Sequence, residues 1–186
     1  MKRADNETAG PNMTASRNQI AHSVGQAAAS ELADAFAKIK HCLDQLTDEQ
    51  VWWRPEPSLN SIGNLILHLC GNLRQWIVCG VGDTADNRDR PKEFSERGPI
   101  PKSELLRRLD EVVGHAQAAL VVLSADHILE HHRIQATDQT AISAIFDSVP
   151  HFRGHTQEIV LMTRMQLGDA YKFLWVPKSK EQGAAK

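Results

Sequence analysis

From Gln19 to Leu46 the apolar residues Ile20, Val24, Ala28, Leu32, Ala35, Phe36, Ile39, Leu43 and Leu46 recur at steps of three and four. That is the period of one helix face, and the alanines between them are the strongest helix formers, so the stretch predicts a long amphipathic helix. Thr47-Asp-Glu-Gln50 then has the form of a capping box, in which the Thr47 hydroxyl and the Gln50 amide each satisfy a backbone N–H of a new helix start. Val51, Trp52 and Trp53 continue it briefly, and Pro55 stops it.

Prolines 55 and 57 exclude regular structure over residues 54–60, and Ser58 or Asn60 can cap a second long helix. Its stripe is Ile62, Leu65, Ile66, Leu69, Leu73, Trp76 and Ile77, with Gly80 and Gly82 at its end. From Val81 to Pro101 prolines, Gly98 and mixed charges break every period. This predicts a long connection, either a lid or a plain crossover, whose charges read as solvated surface. A third helix opens at Pro101 or Ser103 and carries Leu105, Leu109, Val112, Val113, Ala116, Leu120 and Leu123 to about Ser124. The period lapses from Ala125 to Gln139, an irregular or briefly extended stretch. The fourth helix starts near Thr140, capped by Thr137 or Asp138, and runs to Leu167. Its stripe includes Ile145, Phe146, Val149, Phe152, Thr156, Ile159 and Thr163, and Pro150 predicts a kink within it.

These elements predict an all-α fold: an up-down four-helix bundle with a long crossover connection between helices 2 and 3. The bundle spans residues 18–176. Residues 1–17 read as a polar, disordered N-terminal tail and 177–186 as a solvated C-terminal tail. Tyr171 to Pro177 is too aromatic to stay in solvent, and should pack back over the bundle or across a partner subunit.

Composition removes several function classes. The chain has 186 residues, enough for one full core, and 21 basic against 23 acidic residues give a formal charge of −2 with no long block of one sign. That leaves no electrostatic footprint for nucleic acid. The longest apolar run, Ser61 to Val81, is broken by Asn64, His68, Asn72, Arg74 and Gln75, and is too polar for a membrane span. Cys42, Cys70 and Cys79 form no CxxC pair and the N-terminus has no apolar signal core, which predicts a reducing cytoplasm. Gly80-Val-Gly82-Asp-Thr-Ala85 matches a dinucleotide-binding fingerprint in letters alone, because a helix precedes it where a strand is required.

Candidate chemistry lies with the histidines. His151 and His155 stand four apart on the fourth helix, a spacing that lets two imidazoles clamp one ion. Phe152 occupies the place where a zinc protease needs its glutamate, which argues against that class. Taken alone, the pair reads equally well as two polar residues on a solvated face. An ideal helical wheel puts His155 on the flank of the stripe and His151 further round. His68 lies at the edge of the second helix's buried face, and as a ligand or as a carbonyl-bonded core histidine it fits equally. Asn64 and Asn72 share its side of that helix and are candidates for substrate contacts, capping or packing. Asp147 and Glu158, near the pair in sequence, are candidates for an outer partner or base, or for plain surface acids. His41, His127, His131 and His132 read as non-ligands, the adjacent 131–132 pair being unable to chelate jointly from an extended backbone.

The segments Trp53-Arg-Pro-Glu-Pro-Ser-Leu-Asn-Ser-Ile-Gly-Asn-Leu-Ile-Leu-His68-Leu and Val149-Pro-His151-Phe-Arg-Gly-His155-Thr-Gln157-Glu-Ile, at this separation, resemble the DinB-like superfamily over residues 19–176. The resemblance implies a four-helix bundle, commonly a homodimer, with His68, His151 and His155 binding a divalent metal, nickel or zinc among others. It further implies a metal-dependent enzyme acting on a small-molecule substrate, either an S-transferase using a low-molecular-weight thiol or a hydrolase. A non-catalytic, metal-binding dimeric stress-response protein is the alternative.

Overall fold

A computed structural model describes residues 11–82 and 84–176, with side-chain surroundings from Ala15 onward. The expected N-terminal tail lies outside these residues as far as position 10, and the C-terminal tail from 177 lies wholly outside them. The first helix starts earlier than its apolar period: α1 is Pro11–Gln45, so residues 11–17 are helical. Then follow α2 (Asp48–Trp52), α3 (Ile62–Leu73), a π-helical continuation (Arg74–Val81), α4 (Arg90–Ser95) and α5 (Lys102–Val121). A 3-10 turn (His127–Leu129), the strands β1 (His131–Ile134) and β2 (Thr137–Thr140), and α6 (Ala141–Leu167) complete the order.

Four long helices, α1, α3, α5 and α6, form a bundle. α1 and α3 each pack between α5 and α6, so these two lie across the core from one another. Leu32, Ile39 and Leu43 of α1 meet Leu65, Ile66 and Leu69 of α3, Leu105 and Leu109 of α5, and Phe152 and Ile159 of α6 in one continuous core. Phe152, in the position where a protease would carry its base, is fully buried, and truncating such a side chain to alanine costs about 3–5 kcal/mol.

The helix starts follow local chemistry. Thr47 and Gln50 form the expected capping box of α2. α3 is capped by Ser61 rather than by Ser58 or Asn60, with Asn64 as the reciprocal partner. Thr140 itself caps α6, and α6 runs on through Pro150 as one helix, with that proline on the exposed side. The stretch 125–139 is more ordered than its sequence suggests. β1 and β2 pair antiparallel, His131 opposite Thr140 and Ile134 opposite Thr137, and Gln135 and Ala136 turn between them with φ of 50° and 66°. Two successive positive φ values mark the mirror-image turn that suits a two-residue hairpin.

The tail after α6 docks only at its start. Lys172 N–H donates to Gln45 Oε1 at 2.7 Å, and the His41 ring donates to the Lys172 carbonyl at 2.5 Å, so His41 is occupied by a structural bond. Phe173, Leu174 and Trp175 stay exposed.

Candidate metal centre

His68 projects from α3 near the middle of the bundle and is 5% exposed. α6 supplies His151 and His155 one turn apart, and α3 packs directly on α6. The three side chains converge, with ligand nitrogens all within 4.8 Å of one another. Ring centroids are 5.0 Å apart for His68–His151, 5.2 Å for His68–His155 and 4.5 Å for His151–His155. The ring planes are nearly perpendicular pairwise, at 82°, 88° and 88°. Both α6 rings therefore reach the bundle interior, although an ideal wheel put His151 further round.

Carboxylates decide which nitrogen each ring presents. His68 Nδ1 is 2.9 Å from Glu93 Oε2, so it carries the hydrogen and leaves its Nε2 lone pair facing the cluster. Arg88 Nη2 also lies 3.1 Å from that Nδ1, but two donors cannot bond. Its acceptor is Glu93 Oε2 at 2.9 Å. His155 Nδ1 donates to Glu158 Oε2 at 2.7 Å, which frees its Nε2 in the same way. The Nε2 atoms of His68 and His151 are 2.9 Å apart, a separation that a shared proton satisfies. It also matches the ~3 Å between two nitrogens each about 2.1 Å from one ion at a right angle. Burial, then the charges of His155, His68, Arg88 and Arg90, lower the His151 pKa to about 4, so this ring is neutral at physiological pH. Three converging imidazoles, two of them oriented by carboxylates, are a donor set that fits a divalent metal ion.

The outer layer of this cluster comes from a segment whose charges read as solvated surface, and here the structure corrects the sequence. Asp89 caps α4 and Pro91 lies in its first turn, which turns Glu93 inward onto α3. Arg88 grips that carboxylate with Nε to Oε1 at 2.7 Å and Nη2 to Oε2 at 2.9 Å, and the two side chains are 3% and 9% exposed. Burial opposes the charge on Glu93, but the bonds from Arg88 and His68 outweigh it and hold the carboxyl below its ordinary pKa. Gly71 makes the close fit possible. A Cβ there would lie 1.9 Å from Glu93 Oε1.

Asn64 anchors the same segment. Its Nδ2 donates to the carbonyls of Glu93 (2.9 Å) and Glu96 (3.0 Å), while its Oδ1 accepts from the Ser61 hydroxyl (2.7 Å) and Arg54 (2.5 Å). These bonds commit it to structure rather than to a substrate. Asn72 accepts from the Ser148 hydroxyl at 3.0 Å, tying α3 to α6. Of the two acids flagged near the pair, Glu158 reaches His155 and Asp147 is exposed. Burial pushes the Cys70 thiol up to about 12, so it stays protonated. His131 pairs with Asp138, whereas His127, Glu130 and His132 gather in a separate cluster.

Residues 19–180 match the family described as protein of unknown function (DUF1572). The chain belongs to that family. Solved structures show the same bundle. A conserved protein from Enterococcus faecalis superposes with a TM-score of 0.65 at 16% identity, covering 77% of this chain and 97% of its own. A DinB-like protein from Bacillus cereus gives 0.57 at 14% identity, covering 71% of this chain and 85% of its own. The fold of this DUF1572 member is thus DinB-like. A comparison with curated proteins gave no match. Among the described residues no helix is long and apolar enough to cross a membrane.

Proposed function

We propose that the protein is a divalent-metal-dependent enzyme in which His68, His151 and His155 hold nickel or zinc and a low-molecular-weight thiol attacks a small electrophilic substrate. Hydrolysis of a small molecule is the second use of the same site. The observation that carries this reading is the convergence of three imidazoles, with the Nε2 atoms of His68 and His155 left free because their Nδ1 atoms are bonded to carboxylates. Three neutral ligands leave the ion its full charge and an open position, the pattern of a catalytic rather than a closed structural site. A bound ion of this kind supplies Lewis acidity, lowering the pKa of an adjacent thiol or water.

The chain's own residues do the rest. Glu93 and Glu158 keep the Nδ1 protons in place, and Arg88 keeps Glu93 ionised. Phe94 tilts against the His68 ring at 4.9 Å between centroids and covers one side of it. The protonated Cys70 offers no competing nucleophile, so the attacking sulfur comes from the small molecule. Its S–H proton passes to solvent, the sulfur bonds to carbon, and the carbon–leaving-group bond breaks with the electron pair departing on the leaving group.

A homodimer and a cytoplasmic location belong to the same proposal. Ile20 on α1 and Trp175 in the tail are 66% and 75% exposed, apolar surface that a second copy would cover. The free cysteines suit a reducing compartment in which such thiols persist.

The test incubates metal-loaded protein with bacillithiol, mycothiol or glutathione and a panel of electrophiles and hydrolysable esters and amides, beside the His68→Ala variant. Conjugation or hydrolysis faster than in the variant is expected. Equal rates under every condition would replace the enzyme with the alternative, a metal-binding dimer without catalysis.

A further inference from the structure

A second set of ligand atoms converges on elements that the three-histidine cluster does not use. His127 opens the 3-10 turn after α5, Glu130 closes that turn, and His132 is the second residue of β1. Their candidate ligand atoms lie within 4.8 Å of one another, and the two imidazoles stand 5.6 Å apart between centroids at 57°. Backbone bonds hold this local frame. His127 N–H donates to Ser124 Oγ at 3.2 Å, Glu130 N–H to the His127 carbonyl at 3.1 Å, and Ala141 N–H to the Glu130 carbonyl at 3.1 Å.

One atom in this frame is unaccounted for. His132 Nε2 is buried and has no hydrogen-bond partner among the described residues. Such an atom costs on the order of 1–3 kcal/mol, unless a ligand completes it. The three side chains also line a cavity of about 520 Å³, together with Gln75, Asp86 and Arg133. Glu130 is exposed, so an ion can reach the cluster from solvent.

We propose that His127, Glu130 and His132 form a second divalent-cation site, independent of the three-histidine centre. Two imidazoles and one carboxylate are a set that takes zinc or another first-row divalent ion while leaving positions open. Its carboxylate cancels one unit of the ion's charge, where the three-histidine centre cancels none. The hairpin supplies the pairing that adjacent histidines cannot: His131 turns out to Asp138, and His132 turns in toward His127.

The experiment is equilibrium dialysis of the full chain against Zn²⁺, with bound metal measured by elemental analysis and helicity by circular dichroism. Wild type should bind two ions per chain, and the His127→Ala, His132→Ala and the His151→Ala, His155→Ala double variants one each. Glu130→Gln, at an exposed position, should keep the fold and weaken one ion by at least about tenfold, the scale on which even outer partners of a metal site act. If the His127→Ala, His132→Ala variant loses helicity, the Glu130→Gln titration decides alone. One ion that survives loss of the α6 pair and disappears with Glu130→Gln supports this site even if the other centre binds nothing. Binding that Glu130→Gln leaves unchanged, whatever its stoichiometry, overturns it.

Discussion

Replacing Glu93 by glutamine tests whether the buried ion pair supports the histidine cluster. The change keeps the side chain's shape but removes the charge that Arg88 faces at 2.7 and 2.9 Å, and leaves a guanidinium that is 3% exposed without its counter-ion. Removing one partner of a buried pair costs about 3–5 kcal/mol. Glutamine retains one acceptor oxygen, so the lower end, about 3 kcal/mol, is expected. For a chain of this size that lowers Tm by about 6–12 °C. The same change loosens the bond that keeps the proton on His68 Nδ1, and loss of such an outer partner weakens metal binding by roughly 10–100-fold. Thermal unfolding followed by circular dichroism, with and without added Zn²⁺, measures both effects. The double variant Arg88→Met, Glu93→Gln should recover part of the stability, because no unpaired buried cation remains, but none of the affinity. A Tm within about 2 °C of wild type, or unchanged metal affinity in Glu93→Gln, would refute the reasoning.

Gly71→Ala places a methyl group 1.9 Å from Glu93 Oε1 and should cost about 1–3 kcal/mol together with metal affinity; denaturant titration showing no loss would mean that Glu93 can move freely. The folded pKa of His151, about 4, lies below its ordinary 6.5. The unfolded chain therefore binds this proton first, and metal-free protein should lose stability as pH falls from 6.5 toward 4; a slope identical in His151→Gln would remove the assignment. Static light scattering should give twice the 20.7 kDa chain mass, and Trp175→Ser with Ile20→Ser should shift it toward the monomer. A monomer across micromolar concentrations counts against the dimer.

The long helices were legible because each buries a stripe at helical spacing, and the Thr47–Gln50 box because its residues are the usual ones. Ser61 escaped notice because its reciprocal partner is Asn64, not the glutamate or glutamine that marks a capping box. The hairpin gave no signal for a related reason. Gln135 and Ala136 sit at positive φ where asparagine and glycine are the recognisable residues. Residues 11–17 lack an apolar stripe, so nothing in periodicity distinguished this part of α1 from a tail. Of the histidine cluster, the i,i+4 spacing and the family resemblance pointed to the three rings. Arg88 and Glu93 could not be read off, because their burial depends on a missing side chain at Gly71, more than a dozen positions away. The one available hint was Asp89 followed by Pro91, a helix-start signal inside an apparently irregular charge run.

The wide turns that follow α3 shift the phase of a single rod. Gly82 N–H bonds to the Ile77 carbonyl at 2.9 Å and Thr84 N–H to that of Cys79 at 3.1 Å, five residues back in each case. Each such turn holds more residues than an α-turn, so positions after Leu73 are rotated away from the wheel that His68 obeys. Gly80, where a Cβ would meet the Ile134 side chain at 2.5 Å, thereby becomes the seat of the hairpin. Gln75, at the seam, accepts from Arg88 on one side and from Gln135 on the other. His68 and the hairpin's seat at Gly80 thus follow different angular registers of one continuous helix, and a wheel drawn with uniform 3.6-residue turns places the first and misplaces the second.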